Sequence, residues 1–391
     1  MDKATTKAAA HTVVTDPALV NEKSPWLRQE TKKQKQVRTC ICLGVILCFL
    51  VLGTILAFTF REQIFRLGGG QQPASQRKSP VVQSIEDFYH VNKTITKDPS
   101  LVNIFYGIDY TPMGSQEPGC KVNLGNVIED IKVLSQLTNR IRLYGMACQQ
   151  TEAVLKAIEY LELPNMQVVL TLWVDSSPQS WLKQSQIFWN LIDNELKMDT
   201  SSVISRIMGI SVGNEVLFRN EDLNYPAGFV PVSTLTGYID EIRQGLAERF
   251  IPVFSSDLGR NAHQIVNQVD WVMSNIHPFF ANTVATTATS WAIANFKNET
   301  LGAAAGKPAA ISEIGWPSGP SSASQGLSVP SMDNLQTFLD SWVCLANKSN
   351  IPYFYFEAFD EPWKNSINAR EAQWGIMTVD RTLKVTLPRC T

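Results

Sequence analysis

Histidine is scarce in this chain, four in 391 residues, and no His or Cys pair stands at the spacing that metal-ligating motifs require. A metal is therefore not expected, and no other cofactor is signalled. No glycine-rich loop follows the first apolar run, which removes support for nucleotide chemistry, and no Ser/His/Asp arrangement points to acyl transfer. An excess of positive charge is confined to one end of the molecule. Residues 1–38 carry eight Lys/Arg against four Asp/Glu, so +4, and the chain's net −2 leaves −6 for the remainder. A basic tail on a mildly acidic body argues against nucleic acid as the body's partner. Charge of either sign is absent from Cys40 to Phe60.

That uncharged run is 21 residues long, enough at about 1.5 Å per residue to cross a hydrocarbon core of roughly 30 Å. It is too long and too far from the N-terminus for a cleaved signal peptide, so one transmembrane helix is expected. Lys32, Lys33, Lys35 and Arg38 crowd its N-terminal flank, against Arg61 and Arg66 after it, which keeps the N-terminus cytoplasmic. The expected localisation is the cell membrane, single-pass type II, with the larger part outside. Glycosylation acceptors at Asn92, Asn298 and Asn347 all follow the span and none precedes it, in keeping with that orientation. Cys120, Cys148, Cys344 and Cys390 form an even set in the expected oxidising compartment. Of three connectivities, Cys120–Cys148 with Cys344–Cys390 is favoured.

With 44% hydrophobic and 18% charged residues, the chain has the composition of one large core. Residues 1–39 are polar and aperiodic and read as a disordered cytoplasmic tail. The stretch 40–60 is the span, and 61–100, with Gly68, Gly69 and Gly70 followed by a polar run to Pro80, reads as a flexible stalk. From 101 to 391 short apolar runs alternate with amphipathic segments. The runs are 105–110, 140–144, 167–173, 207–214, 252–256, 271–277, 309–313 and 353–359. Helical spacing marks 127–137, 151–161, 180–196, 235–250 and 335–346. All-apolar strands between amphipathic helices indicate a covered parallel sheet, and eight repeats in ~290 residues predict the α/β class as a single closed (β/α)8 TIM barrel.

Barrel sites lie at the C-terminal ends of the strands, where Glu215 follows the fourth run and Glu313 closes the seventh. Strands three apart in a ring of eight face each other across the mouth, so the two carboxylates converge on one bond. That suits glycoside hydrolysis, which needs one protonated and one ionised carboxyl. Asn214 is placed to address a sugar 2-hydroxyl, and Tyr144, ending the second strand, to hydrogen-bond the nucleophile. His277 ends the sixth strand alone and reads as structural. Trp173, Phe218, Phe279, Trp316 and Trp363 fall at or just after strand ends. Flat aromatic faces there would carry sugar rings, with Trp316 and Trp363 the foremost candidates.

Six segments in order, Phe105–Tyr110, Arg142–Gly145, Val212–Arg219, Asn275–Phe280, Ser312–Ser318 and Phe356–Lys364, also resemble glycoside hydrolase family seventeen, the β-1,3-glucanases, in its fungal membrane-anchored branch. The resemblance covers 101–391. It implies a retaining mechanism with Glu215 as acid/base and Glu313 as nucleophile, and places Glu361 and Lys364 beside the site. The expected partners are β-glucan polysaccharide of the cell wall and, through the span, the membrane. Transfer of the glycosyl group to another glucan is the alternative outcome. A silent glucan-binding receptor is the competing class, against which the intact carboxylate pair argues.

Overall fold

The computed structural model describes residues 91–195, 204–222, 225–246, 249–366 and 368–390. The tail, the apolar run Cys40–Phe60 and most of the stalk lie outside them. Among the described residues no helix is long and apolar enough to cross a membrane.

The apolar runs form eight parallel strands closed into a barrel in sequence order. They are β1 (Gly107–Asp109), β2 (Arg140–Arg142), β3 (Gln167–Leu172), β4 (Ile207–Asn214), β5 (Val253–Asp257), β6 (Val272–Asn275), β7 (Ala309–Ile314) and β8 (Tyr353–Tyr355). Both faces of these strands are covered, which is why they read as unbroken apolar runs rather than alternating ones. Among the outer elements are α1 (Leu124–Leu134), α2 (Gln150–Tyr160), α3 (Pro178–Glu195), α4 (Val232–Gly245), α5 (Ala285–Asn295) and α6 (Met332–Lys348).

Two of these helices show how the sequence sets them. In α1, Leu124, Val127, Ile128, Ile131 and Leu134 make the buried stripe, and Asn123 caps the start by accepting from the Asn126 amide at 3.1 Å. In α6, Ser331 caps through the Asn334 amide at 3.1 Å, and Leu335, Phe338, Leu339, Trp342, Val343 and Ala346 face the barrel. Helix α5 was not legible in the sequence. Its buried face is Ala285, Ala288, Thr289 and Ala292, small residues that leave no apolar stripe. A 3-10 segment, Gly259–Gln264, follows β5.

Residues 91–104, expected in part to be stalk, lie against the N-terminal face of the barrel. Tyr160 donates its hydroxyl to the Val91 carbonyl at 2.6 Å, the Asp98 amide reaches Gln136 at 2.9 Å, and the Ile104 amide reaches the Leu137 carbonyl at 3.1 Å. Disulfides join Cys120 to Cys148 and Cys344 to Cys390. The first ties the β1–α1 loop to the β2–α2 loop on the opposite, C-terminal face.

Candidate active site

Three strand pairings lose their even register at the C-terminal rim: β4–β5 between Ser211 and Asn214, β6–β7 between Ser274 and Asn275, and β7–β8 between Ile311 and Ile314. Such irregularities re-aim side chains, and here they fall at Asn214, Asn275 and Glu313. After β4 the chain turns sharply. Gly213 has φ +80° and Glu215 φ +53°, and a Cβ on Gly213 would stand 2.5 Å from Val216 Cγ2, so this position accepts only glycine without strain. The Glu215 amide is pinned to the Ser256 carbonyl at 2.7 Å. Asp257, at the end of β5, accepts from the Leu217 and Phe218 amides at 2.7 and 3.2 Å. It thereby satisfies the free donors of the single helical turn Val216–Arg219.

Glu313 is gripped at both oxygens. Arg142 Nη1 donates to Oε1 at 3.1 Å and His277 Nε2 lies 3.1 Å from Oε2. An ionised carboxylate only accepts, so the imidazole donates from Nε2. Burial opposes ionisation of Glu313, but the His277 hydrogen bond and the Arg142 charge outweigh it and hold the carboxyl at about 2. Arg142 is fully buried, and also donates to Asp109 Oδ1 at 3.0 Å and to Asn214 Oδ1 at 2.8 Å. Burial pushes the Asp109 carboxyl well above its ordinary range against the pull of Arg142, which leaves more of the guanidinium charge for Glu313.

Glu215 has a single side-chain donor, Asn275 Nδ2 at 2.9 Å. Burial first, and the neighbouring Glu313 charge second, push its carboxyl up to about 7. Asn275 is itself fixed by Ser312, whose hydroxyl donates to Oδ1 at 2.6 Å. Asn214 Oδ1 is taken by Arg142 and, at 3.2 Å, by Asn275, which leaves its NH2 to donate into the groove. One oxygen of Glu215, one of Glu313 and a His277 ring nitrogen lie within 4.8 Å of one another. A metal ion would accept that spacing, but the Arg142 guanidinium already competes for Glu313.

Two cavities meet at this pair. One, of about 560 Å3, includes Phe218, Arg260, His277, Phe280 and Trp291 in its walls. The other, of about 480 Å3, includes Tyr144, Trp173, Asn214, Trp363 and Lys364. Both are lined by Glu215, Glu313, Phe356 and Glu371. Together they form a groove with the two glutamates between its arms.

The structure brings Glu215, Glu313, Asn214, Tyr144, Glu361, Trp363 and Lys364 to this groove. Lys364 is no surface lysine: its ammonium lies 2.5 Å from Glu361 and 3.4 Å from Glu357. Three expectations need correction. Trp316 is 0% exposed and packs on Phe279 and Phe338, with Nε1 donating to the Val329 carbonyl at 3.1 Å, so it offers no face to a sugar. Phe279 is also 0% exposed, enclosed by Trp316, Trp374 and Phe280. Both sit beneath the rim. Tyr144 lines the groove under the Arg142 guanidinium, 4.6 Å from its ring centre, but the bonds to Glu313 come from Arg142 and His277.

His277, read as structural, thus touches the candidate nucleophile. Its ring is wedged edge-on by Trp374, Phe356 and Phe280 at 5.2, 5.3 and 5.8 Å. Sequence reasoning assigned no role to Arg142, Asp109, Asn275 or Ser312. Their signal was that each lies at a strand end within a segment carrying the family resemblance, Asp109 in Phe105–Tyr110, Arg142 in Arg142–Gly145, Asn275 in Asn275–Phe280 and Ser312 in Ser312–Ser318. Of the acceptor asparagines, Asn92 and Asn298 are exposed, while Asn347 Nδ2 donates to the Ile104 carbonyl at 2.7 Å.

An eight-stranded parallel barrel presenting a protonatable and an ionised carboxyl from β4 and β7 is the architecture of a glycoside hydrolase. The chain belongs to the BtgE/BtgC glycoside hydrolase domain family, whose sequence model matches residues 107–375, a fungal branch of family seventeen. It is 36% identical over 399 residues to the Aspergillus flavus "Probable glucan endo-1,3-beta-glucosidase btgC", covering 94% of this chain and 56% of that one. It is 35% identical over 325 residues to the Emericella nidulans "Glucan endo-1,3-beta-glucosidase btgC", covering 76% and 48%. The chain therefore spans about half the length of these relatives. Among solved structures, the family 17 beta-1,3-glucanosyltransferase of Rhizomucor miehei superposes with a TM-score of 0.61 at 28% identity, covering 73% of this chain and 98% of that one. An endo-laminarinase from Formosa Hel1_33_131, at 19% identity and TM-score 0.58 over 71% of this chain and 84% of that one, shares the fold.

Proposed function

We propose that this protein cleaves β-1,3-glucan with retention of anomeric configuration, Glu215 serving as acid/base and Glu313 as nucleophile. The observation that carries this is the pair itself. Glu215, partly exposed to the groove, and Glu313, buried, have oxygens within 4.8 Å of each other and are held at about 7 and about 2 respectively. A closely spaced pair, about 5–5.5 Å, is what attack by a carboxylate needs, whereas the water-activating route needs roughly 6.5–9.5 Å. In the first step Glu313 attacks the anomeric carbon while Glu215 gives its proton to the departing glycosidic oxygen. Glu313 is then an uncharged ester, the repulsion on Glu215 is gone, its pKa falls, and it takes the proton of the incoming hydroxyl. Asn214 NH2 is placed for the 2-hydroxyl of the sugar at the cut. The substrate follows from the relatives, named as glucan endo-1,3-beta-glucosidases.

A second outcome shares the intermediate. The Rhizomucor miehei neighbours are glucanosyltransferases, one in complex with laminaritriose. A groove continuing on both sides of Glu215 and Glu313 could seat a glucan acceptor in place of water. The location of the activity is part of the same proposal. The uncharged run Cys40–Phe60 anchors the chain as a type II membrane protein with the barrel outside, a reading supported by the two disulfides and by the exposed acceptors Asn92 and Asn298.

The test is incubation of the full chain, in wild-type and Glu313→Ala forms, with a linear β-1,3-glucan and a defined laminari-oligosaccharide. Wild type is expected to release shorter products of retained configuration, and Glu313→Ala to lose activity by several orders of magnitude. Equal activity in the two forms would overturn the mechanism. Products longer than the starting oligosaccharide would show transfer.

A further inference from the structure

Glu215 stands on backbone that its own preferences would not hold. Its φ of +53° is left-handed, a conformation that a residue with a side chain keeps only where the surroundings enforce it. Two buried side chains of opposite charge grip the turn that follows, one at each end. Asp257, at the end of β5, takes the leading amides: Oδ2 accepts from Leu217 at 2.7 Å and Oδ1 from Phe218 at 3.2 Å. Arg219 takes the carbonyls behind. Its Nε donates to the Glu215 carbonyl at 3.2 Å, and its Nη2 to the Asn214 carbonyl at 3.1 Å and the Val174 carbonyl at 2.7 Å. Asp257 is in turn held by the Leu258 amide and by Asn261 Nδ2, both donating to Oδ1 at 2.8 Å. All these donors are N–H groups, a set that suits an ionised carboxylate, which only accepts. A buried charge is costly unless such bonds are made, so each of the two side chains fixes the turn that satisfies it. Asp257 lines neither cavity, whereas Phe218 and Leu258, whose amides it holds, wall one of them. A role toward the acid and a role toward the wall can therefore be told apart.

We propose that Asp257 is the positioning residue of the acid/base: with Arg219 holding the other end of the turn, it aims the Glu215 carboxyl at the glycosidic oxygen. This rests on the glucan reading above and adds to it a residue that acts on the proton transfer without touching the sugar.

The test compares two substrates on the full chain. One is a linear β-1,3-glucan, whose departing sugar needs a proton; the other is a dinitrophenyl β-laminaribioside, whose phenolate leaves without one. Asp257→Asn puts an NH2 against N–H donors at whichever oxygen it replaces, and so loosens the turn with little change of volume. It is expected to lower kcat on the glucan about a hundredfold, the cost of misplacing a reacting group by about 1 Å, with KM within about twofold. Phenolate release in the first turnover should stay near the wild-type rate. Azide, an anion that needs no base, should restore turnover of that substrate by displacing the Glu313 carboxylate from the anomeric carbon to give the glycosyl azide. Glu215→Ala should show the same pattern more strongly; if it does not, the acid/base assignment itself fails. If it does, and Asp257→Asn slows both substrates equally, raises KM with kcat unchanged, or leaves glucan cleavage unaltered, the proposal is overturned and the glucan reading stands. Should Asp257→Asn not fold, Asn261→Ala decides, since it removes one donor to Asp257 from outside the turn. A few-fold loss of kcat confined to the glucan supports the proposal, and any other result overturns it.

Discussion

Glu215 and Glu313 are the same side chain, the first partly exposed to the groove and the second buried, and their partners drive them apart. Glu313 has a guanidinium and an imidazole, while Glu215 has one neutral amide. The free protein should therefore lose kcat/KM as pH rises through about 7, because the proposed mechanism starts with Glu215 protonated. On the acid side activity should persist until Glu313 is protonated at about 2, or until the fold fails first. His277→Ala removes the hydrogen bond that does most to offset burial at Glu313. Its acid limb is expected to move up toward neutrality while the alkaline limb, set by Glu215, moves much less. An acid limb that stays in place would deny His277 that role. The two tryptophans give a second contrast at this scale. Trp316→Ala empties a fully buried site and should cost about 3–5 kcal/mol in denaturant unfolding. Trp363→Ala, at a ring 39% exposed, should raise KM with little change in stability.

At the level of the elements, the site is made where strands stop being regular. The irregularities at Asn214, Asn275 and Glu313 and the left-handed turn through Gly213 and Glu215 aim the polar side chains into the mouth. The Cys120–Cys148 bond holds two groove-wall loops together, since Ser115, Gln116 and Glu117 on one and Gly145, Ala147 and Gln150 on the other line the same arm. Replacing both cysteines by serine should cost about 3 kcal/mol of stability from the released loop. It should also raise KM more than it lowers kcat, because Glu215 and Glu313 stand on other strands. A matched fall in kcat instead would mean that the loops bear on the reacting groups. The strands were legible because a parallel sheet buried on both faces writes itself as apolar runs; β4 runs over the predicted Ile207–Asn214. Helix α5 was hidden by its alanines and threonines. The carboxylates were legible because each ends a run. Arg142 was not, since its partners Asp109, Asn214 and Glu313 lie 33, 72 and 171 residues away and only closure of the barrel brings them together. Trp316 and Phe279 misled for a related reason: a residue just past a strand end can fold under the rim as easily as over it.

Across the whole barrel, cavities on both sides of the cutting pair favour scission inside a chain rather than at its end. A linear β-1,3-glucan solution should lose viscosity much faster than it gains reducing ends. Parallel loss of viscosity and gain of ends would indicate an end-directed enzyme. The opposite face of the barrel has its own consequence. Residues 91–104 enter across the N-terminal ends of the strands, held there by Tyr160, Gln136 and Leu137. A handle joined at that end pulls on the blind side of the barrel. None of these residues lines either cavity beside Glu215 and Glu313, so whatever is attached ahead of Val91 joins the barrel on the face away from the groove and leaves the mouth unobstructed by the entry segment.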